Sequence, residues 1–263
     1  MKVGFIGCGN MGGALARAVA KTGAELYLCD RDENKARELS SIIGGRIADS
    51  DRICRECEFV FLGVKPVGLG SLVEEIKESC KEHHPILVSM LAGVGIEKIA
   101  SLIGEGVGII RIMPNTPVLF GEGLVLISPD KTTRGEKTER LMALLKMAGK
   151  CEIIDEGLID AASAVSGSGP AFFYHFIEAV ADGGARCGLG YEEALRYATL
   201  TAKGAAVMLM SAGKAPDTLI KEVCSPGGST IEGISVLKEE GLADIVERAV
   251  ATTYKKAKTL GRG

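Results

Sequence analysis

The residue pattern with the clearest chemical use is a glycine-rich segment near the start of the chain, Gly7-Cys8-Gly9-Asn10-Met11-Gly12. It follows the apolar run Val3–Ile6 and opens a stretch whose apolar residues recur at helical spacing, so a strand, a turn and a helix are expected here. Gly7 would make the turn, Gly9 would let the backbone approach a pyrophosphate, and Gly12 would let the helix pack closely on the strand. Backbone N–H groups at the positive end of the helix then bind phosphate. The pattern therefore predicts a dinucleotide site.

The end of the second apolar run leaves the identity of that dinucleotide open. Asp30 stands eighteen residues beyond Gly12, where an acid accepts hydrogen bonds from the adenosine ribose of NAD(H). Arg31 is the next residue, and an arginine there can instead hold the 2′-phosphate of NADP(H). Because the two residues favour different nucleotides, the sequence predicts NADP(H) or NAD(H) without deciding between them.

Three further loops follow predicted strands at the same edge of the sheet: Val64-Lys65-Pro66, Ser89–Gly93 and Met113–Pro117. Ligands of open parallel sheets bind at the carboxyl ends of the strands, so each loop is a candidate binding segment. Lys65 either pairs with a cofactor phosphate or is an ordinary solvated lysine. Asn115 lies between two prolines, which stiffen the loop either for a ligand or for a turn alone.

Two clusters of glycine and small polar residues interrupt the second half of the chain, Ser166–Pro170 and Ser225–Thr230. Backbone N–H groups and small hydroxyls at a helix N-terminus suit a carboxylate ligand. Helix capping is the alternative, and it explains one serine in each cluster. It does not explain consecutive glycines with two hydroxyls, so the second cluster is interpreted as a binding site.

The residue types that are missing also restrict the chemistry. The sequence shows no pairing of histidine with a carboxylate, no metal-ligand spacing and no nucleophile elbow, so no metal site is predicted. A dehydrogenase that oxidises an alcohol needs a base for the hydroxyl proton. Without such a base, the favoured substrate is one that is already electrophilic, such as an imine held beside a nicotinamide.

These segments must be positioned by two different kinds of structure. Short apolar runs alternate with helical patterns as far as residue 155, which predicts an α/β Rossmann-like doubly wound parallel sheet. Residues 156–263 contain helical patterns alone, and these predict an all-helical domain for substrate binding and dimerisation. The helix predicted over Pro170–Cys187 is apolar around most of its circumference, so it must be buried in a bundle or against a second subunit.

Composition excludes several other classes of protein. The 263 residues carry 31 basic and 34 acidic side chains, a net charge of −3, and no tryptophan. This balance gives no reason to expect nucleic acid or an anionic membrane as a partner. The pair Cys54 and Cys57 lacks the context of a metal or redox site, so reduced thiols in a cytoplasmic protein are expected. The run beginning at Val3 leaves no room for a signal peptide, and no apolar stretch approaches the ~20 residues of a membrane span.

Taken in order, these motifs resemble those of the pyrroline-5-carboxylate reductase family along nearly the whole chain. The matching segments are Phe5–Gly12, Val64–Pro66, Arg111–Pro117, Ser166–Pro170 and Ser225–Ile231, of which the last two are the most specific. The resemblance implies NAD(P)H-dependent reduction of 1-pyrroline-5-carboxylate to L-proline by hydride transfer to the ring imine carbon. It also implies a homodimer formed through the helical domain and, in many members, a decamer of five dimers.

The resemblance also assigns roles to individual residues. Thr230 would be catalytic, positioning and protonating the ring nitrogen, and the substrate carboxylate would be held by Ser225, Gly227, Gly228, Ser229 and Thr230. The cofactor would be bound by the glycine-rich segment Gly7, Cys8, Gly9, Asn10, Met11 and Gly12, by Asp30, Arg31 and Ser50, and by Val64, Lys65, Pro66, Ala92, Gly93 and Asn115.

This sequence departs from the family pattern at several positions. Ser50 stands where members often have asparagine, Asp30 where they have asparagine or serine, and Ala215-Pro216 where His-Pro is usual. An acid that some members carry has no counterpart near Gly213. Two alternatives therefore stay open: a cofactor-binding regulatory homologue without turnover, and a related imine or β-hydroxyacid reductase.

Overall fold

A computed structural model of the chain describes residues 1–260. It forms two compact units, one comprising Met1–Ser168 with the end of the last helix from Thr253, the other Gly169–Thr252. The sequence predicts a domain boundary after residue 155, whereas the main segment of the first unit extends to Ser168. The intervening residues stay with the first unit because the helix Ile159–Ser166 is hydrogen-bonded at both ends to the segment Arg111–Asn115.

The first unit is built on one eight-stranded sheet, ordered β3-β2-β1-β4-β5-β6-β7-β8. The strands are β1 Lys2–Ile6, β2 Glu25–Cys29, β3 Arg46–Ile47, β4 Phe59–Leu62, β5 Ile86–Ser89, β6 Ile109–Pro114, β7 Gly123–Pro129 and β8 Gly149–Ile153. Seven of them correspond to the predicted apolar runs. The chain moves outward from β1 through β2 to β3 and then crosses back to β4, so the order reverses between β1 and β4. Such a reversal is where open α/β sheets bind their ligands.

The sheet is parallel except where β7 runs antiparallel to β6. The prediction of a parallel sheet is wrong for this pair. Residues Asn115–Glu122, which connect the two strands, contain only a short 3-10 turn, Thr116–Phe120. A parallel return needs a crossover of a dozen or more residues, so this short connection forces the chain to double back.

Helices cover both faces of the sheet. They are α1 Asn10–Ala20, α2 Glu33–Ile43, α3 Ser50–Glu56, α4 Leu69–His83, α5 Ile96–Ile103, α6 Glu136–Leu145 and α7 Ile159–Ser166. Alternate strand residues point to opposite faces. Phe5 and Phe61 therefore stack with ring centroids 4.5 Å apart in one core, beneath α1 and α6, while Ile6 and Leu62 pack in the other with α3, α4 and α5.

The second unit is helical, as predicted. It contains α8 Gly169–Arg186, α9 Tyr191–Ser211, α10 Pro216–Val223, α11 Ser229–Glu239 and the start of α12 Leu242–Leu260. Helices α8 and α9 pack through a small core of Ala181, Ala194 and Ala198. By contrast, the aromatic residues Phe173 and Tyr174 of α8 are 68% and 63% exposed. The apolar surface of α8 is therefore largely uncovered in the single chain.

No helix within residues 1–260 combines the length and the apolar character needed to cross a bilayer.

Candidate functional site

The glycine-rich segment follows β1 and contacts the ends of both neighbouring strands, β2 and β4. The N–H of Gly7 donates to the carbonyl of Cys29 at 2.8 Å, and Gly7 has a φ of 104°, in the left-handed region that favours glycine. A Cβ at Gly7 would lie 2.5 Å from the carbonyl carbon of Gly63, and one at Gly12 would lie 2.0 Å from the oxygen of Gly7. Close packing would therefore require glycine at both positions, even without the backbone angle of Gly7.

Gly9 differs from its two neighbours in the motif. It is the N-terminal cap of α1, and a Cβ built there would meet no atom within 4 Å among the described residues. No side-chain hydrogen bond from the described residues caps this helix, so its first N–H groups are left without a side-chain partner. An exposed helix N-terminus beside a residue without a side chain fits a pyrophosphate group, so this segment passes the test for a dinucleotide.

The other members of the segment have different surroundings. Asn10 is exposed at the start of α1, whereas Met11 is half-buried against the core. Cys8 is buried, and its thiol donates to the carbonyl of Cys29 at 3.4 Å. Burial, with a smaller effect from Asp30, raises the pKa of the Cys8 thiol to about 12. Cys8 is thus protonated at neutral pH and contributes its backbone rather than a thiolate.

Asp30 lies beside this segment at the end of β2. Its Oδ2 accepts a hydrogen bond from the backbone N–H of Cys8 at 2.7 Å, and its Oδ1 accepts one from the N–H of Asp32 at 2.9 Å. The neighbouring Arg31 is exposed and makes no ion pair with any residue that the structure describes. The Asp30 carboxylate is therefore held in place, whereas the Arg31 side chain extends into solvent.

Ser50 begins α3, and two residues separate it from the end of the short strand β3. It is buried, and its hydroxyl donates to Oε2 of Glu75 in α4 at 3.0 Å. The preceding residue, Asp49, caps α3 by accepting the N–H of Arg52 at 2.7 Å. Asp49 and Glu75 were not identified from the sequence, although Asp49 comes shortly after β3, much as Asp30 comes directly after β2.

The remaining predicted cofactor loops line the carboxyl edge of the next strands. After β4, Val64 packs on the core, while Lys65 is exposed and caps the 3-10 turn Pro66–Gly68. After β5, Ala92 is exposed and Gly93 adopts a φ of 72°. The sheet thus brings the segments after β1, β2, β4 and β5 to one edge, as the motif order predicts.

Asn115 has a role within the protein itself. Its Nδ2 donates to the carbonyl of Ser166, the last residue of α7, at 3.0 Å. Its Oδ1 accepts the N–H of Leu124 in β7 at 2.9 Å. Both ends of the amide are therefore occupied by backbone groups, and the side chain ties together the ends of β6 and α7 and the start of β7.

Arg111 is a residue whose importance the sequence did not reveal. Its side chain is 5% exposed, and it lies 2.8 Å from Oδ1 of Asp160 and 3.6 Å from Oε1 of Glu156. The same Glu156 oxygen caps α5 by accepting the N–H of Ile96 at 2.7 Å. Arg111 thus joins β6 to the start of α7. A single charge inside the apolar run Ile109–Met113 was the available signal, because a buried charge needs a partner.

The predicted substrate loop, Ser225–Thr230, lies in the second unit and leads into α11. Gly227 has a φ of 71°, and the N–H of Gly228 donates to the carbonyl of Ser225 at 3.0 Å, which closes a tight turn. Gly228 caps the helix without any side-chain hydrogen bond. Ser229 and Thr230 are exposed, and no described residue hydrogen-bonds to their hydroxyls. The capping alternative does not describe these residues, and the helix N-terminus is available to an anion.

The other cluster, Ser166–Pro170, has structural work to do. The hydroxyl of Ser166 donates to the carbonyl of Ala162 at 3.0 Å, and the N–H groups of Gly167 and Ser168 both donate to the carbonyl of Ser163. These bonds end α7 and lead directly into α8. The cluster therefore serves the helix junction.

The cysteines form no metal site that the described residues reveal. All eight are free, and no group of three or more potential ligands assembles within residues 1–260. Burial raises the pKa of Cys57 to about 12, and a hydrogen bond with Cys80 followed by burial raises that of Cys54. Thiols in such surroundings stay protonated and unreactive at neutral pH.

Comparison with known proteins assigns a family to this arrangement. Residues 156–260 match the family model described as pyrroline-5-carboxylate reductase dimerisation, and residues 2–93 match one described as NADP oxidoreductase, coenzyme F420-dependent. The pyrroline-5-carboxylate reductase of Aquifex aeolicus (strain VF5) is 37% identical over 262 residues, which cover 99% of this chain and 97% of that protein. The chain belongs to the pyrroline-5-carboxylate reductase family.

Other pyrroline-5-carboxylate reductases match along the same length. That of Escherichia coli (strain K12) is 33% identical over 266 residues, covering 99% of this chain and 98% of that protein. The crystal structure of Plasmodium falciparum pyrroline carboxylate reductase with NADP bound superposes with a TM-score of 0.88 at 29% identity, covering 99% of both chains. The expected family, fold class and oxidoreductase class are thereby confirmed.

Membership of the pyrroline-5-carboxylate reductase family also decides between the earlier hypotheses. The regulatory homologue and the β-hydroxyacid type of reductase are not favoured, since relatives that match along the full chain are pyrroline-5-carboxylate reductases. A 3-hydroxyisobutyrate dehydrogenase from Mycobacterium tuberculosis shares 13% identity and thus the fold alone. The match of residues 156–260 to a dimerisation model supports homo-oligomerisation.

Proposed function

We propose that this chain reduces 1-pyrroline-5-carboxylate to L-proline with a reduced nicotinamide dinucleotide. The observation that carries the proposal is the free N-terminus of α11, where Ser229 and Thr230 expose uncommitted hydroxyls within the segment that matches the reductase dimerisation model. Such a terminus suits the carboxylate of a small substrate. The absence of a paired acid and base among the described site residues suits a substrate that is already an electrophilic imine.

The first unit holds the cofactor in this proposal. Gly7, Gly9 and Gly12 accommodate the pyrophosphate at the start of α1, together with the backbone of Cys8, Asn10 and Met11. Asp30, Arg31 and Ser50 serve the adenosine end, and the nicotinamide end is served by Val64, Lys65, Pro66, Ala92, Gly93 and, through the loop it stabilises, Asn115. When bound, the cofactor supplies the hydride that the ring imine carbon accepts.

The substrate loop performs two tasks in this proposal. The N–H groups at the start of α11, with Ser225, Gly227, Gly228 and Ser229, hold the substrate carboxylate. The Thr230 hydroxyl donates a hydrogen bond to the ring nitrogen and passes it a proton as the neighbouring carbon gains the hydride, and water then restores the hydroxyl proton. Orientation rather than strong acid catalysis then carries the reaction.

An oxidation assay tests this function directly. Purified protein mixed with 1-pyrroline-5-carboxylate and NADH or NADPH should oxidise the nucleotide and form one proline for each nucleotide consumed. A protein that binds nucleotide but does not turn over would be the regulatory homologue. Turnover with a β-keto acid and none with the pyrroline would identify the other kind of reductase.

The helical unit would form a homodimer in this proposal, and five dimers could build a decamer. The exposed aromatic residues Phe173, Tyr174 and Phe176 on α8 support the dimer, because a stable chain buries such side chains. Light scattering at micromolar concentration should give at least twice the mass of the chain, and a stable monomer would contradict the proposal. A cytoplasmic location is also proposed, since all eight cysteines are free, as in reducing compartments.

A further inference from the structure

A fixed carboxylate stands where the dinucleotide site meets the adenosine ribose. Asp30 follows β2, the neighbour of β1, at the position that contacts the ribose 2′ group in this class of fold. Backbone donors from Cys8 and Asp32 hold its two oxygens at 2.7 and 2.9 Å. The carboxylate therefore cannot turn away from a bound nucleotide, yet each oxygen keeps a lone pair that a ribose hydroxyl can use.

A second acid stands level with Asp30 on the next strand. β2 and β3 are parallel and pair Leu28 with Ile47. Continuing this register by two residues along both strands brings Asp49 beside Asp30. Asp49 is also fixed, because its side chain caps α3. Two carboxylates thus end adjacent strands at the edge that receives the adenosine.

A third acid is drawn to the same place by Ser50. The buried Ser50 hydroxyl donates to Glu75 at 3.0 Å, which holds that carboxylate against the first turn of α3. All three acids act on the thiol of Cys29, the last residue of β2. The pKa of this thiol is raised first by burial and then by the negative charges of Asp30, Asp49 and Glu75. The three acids therefore lie within electrostatic range of the end of β2.

The opposing positive charge is weakly placed. Arg31 is exposed and, within the part of the chain that the structure describes, has no partner that would hold it toward a ligand. Asp49 and Glu75 are exposed as well, but each is held in place by a hydrogen bond, and Asp30 is half-buried. A 2′-phosphate, with its charge of about −2, would face three carboxylates that are held in place and one guanidinium that is not.

We infer that this chain binds NADH in preference to NADPH, because Asp30 accepts the ribose hydroxyls and the charges of Asp30, Asp49 and Glu75 together repel a 2′-phosphate. The inference rests on the proposed function, which places the cofactor on this edge. It assigns the choice that Asp30 and Arg31 leave open in the sequence.

Direct binding measures this preference without reliance on turnover. Isothermal titration calorimetry of the purified protein with NADH and with NADPH should give Kd values that differ by about tenfold or more in favour of NADH. Because the discrimination is electrostatic, the ratio of the two Kd values should fall as salt is raised from 0.05 to ~0.5 M.

Two charge-neutralising variants test two of the three acids, Asp30 and Glu75. Asp30→Asn keeps a side-chain acceptor but removes the charge, so the ratio should fall about tenfold, with NADPH affinity rising. Glu75→Gln keeps the Ser50 contact and should move the ratio in the same direction by a smaller factor. Glu74→Gln is the matched control, because Glu74 lies on the same helix but pairs with Lys77 and makes no contact with Ser50. It should leave the ratio unchanged.

The outcomes separate this inference from the function on which it rests. A wild-type protein that binds NADPH as tightly as NADH, or variants of Asp30 and Glu75 that leave the ratio unchanged, would overturn the preference alone. Failure of the wild-type protein to bind either nucleotide would overturn the proposed cofactor site itself. If Asp30→Asn fails to fold, the comparison of Glu75→Gln with Glu74→Gln and the salt dependence still decide the matter.

Discussion

The guanidinium of Arg111 lies 2.8 Å from the carboxylate of Asp160, so a buried residue of β6 is paired with the first turn of α7. The two partners are unequally buried, with 5% of the Arg111 side chain and 25% of the Asp160 side chain exposed. Loss of Asp160 leaves a buried cation with only the more distant Glu156, whereas loss of Arg111 leaves an acid that water can reach.

Asp160→Ala should therefore lower the free energy of unfolding by about 3 kcal/mol, and Arg111→Met by less. Urea denaturation of both variants checks the order. The double variant Arg111→Met with Asp160→Leu should recover most of the loss, because an apolar pair leaves no buried charge. Equal losses in the two single variants would show that burial does not set the cost.

Gly12→Ala and Gly9→Ala should separate packing from binding. A Cβ at Gly12 would lie 2.0 Å from the oxygen of Gly7, so this variant should lose about 1–3 kcal/mol of stability or more. A Cβ at Gly9 meets no described atom, and the residue's φ of −67° suits alanine. Gly9→Ala should stay within about 1 kcal/mol of wild type yet bind NADH at least tenfold more weakly. Wild-type affinity in Gly9→Ala would remove the pyrophosphate from this position.

Thr230→Val should lower kcat/KM for 1-pyrroline-5-carboxylate by roughly 10- to 100-fold, because the substrate loses one hydrogen bond to its ring nitrogen, whose charge changes during the reaction. The stability of this variant should hardly differ from that of the wild type, because the Thr230 side chain is exposed and no described residue hydrogen-bonds to its hydroxyl. Thr259→Val serves as the control: that hydroxyl donates to the carbonyl of Lys256 within α12. Unaltered kinetics in Thr230→Val would remove the role assigned to this residue.

Stability in acid should depend on Glu56. Hydrogen bonds from Lys2, Arg52 and Tyr27, in that order, lower the pKa of Glu56 to about 2. In the unfolded chain a glutamate titrates near ~4.3, so its contribution to stability is complete above that pH and is lost as the pH falls toward 2. Glu56→Gln should be less stable than wild type at pH 6, and the difference in urea denaturation should shrink below pH 4. A difference that does not change with pH would contradict this.

The fold was largely predictable because burial leaves a clear trace in the sequence. Apolar runs predicted seven strands, and helical spacing predicted all of the helices of the second unit. The strand β3 escaped notice because Arg46 and Ile47 are two exposed residues, which form no apolar run. The direction of β7 was missed because side-chain periodicity is the same in parallel and antiparallel strands.

The site was predictable where its chemistry is local. Gly7 and Gly12 are needed for contacts within one short segment, so their spacing in the sequence is enough to predict their role. The contacts of Ser50 with Glu75 and of Asn115 with Ser166 join residues 25 and 51 positions apart. One sequence without its relatives holds no signal for such pairs, because each depends on how helices settle on the sheet.

The amide of Asn115 has a consequence for how loss-of-function variants in this loop should be understood. Since both of its polar atoms already serve Ser166 and Leu124, only the second amide hydrogen and the second oxygen lone pair remain for a nucleotide. An inactive variant at this position would thus report a displaced backbone as well as any ligand contact that is lost. Its defect would spread to the start of β7 and the end of α7, far beyond any single ligand atom.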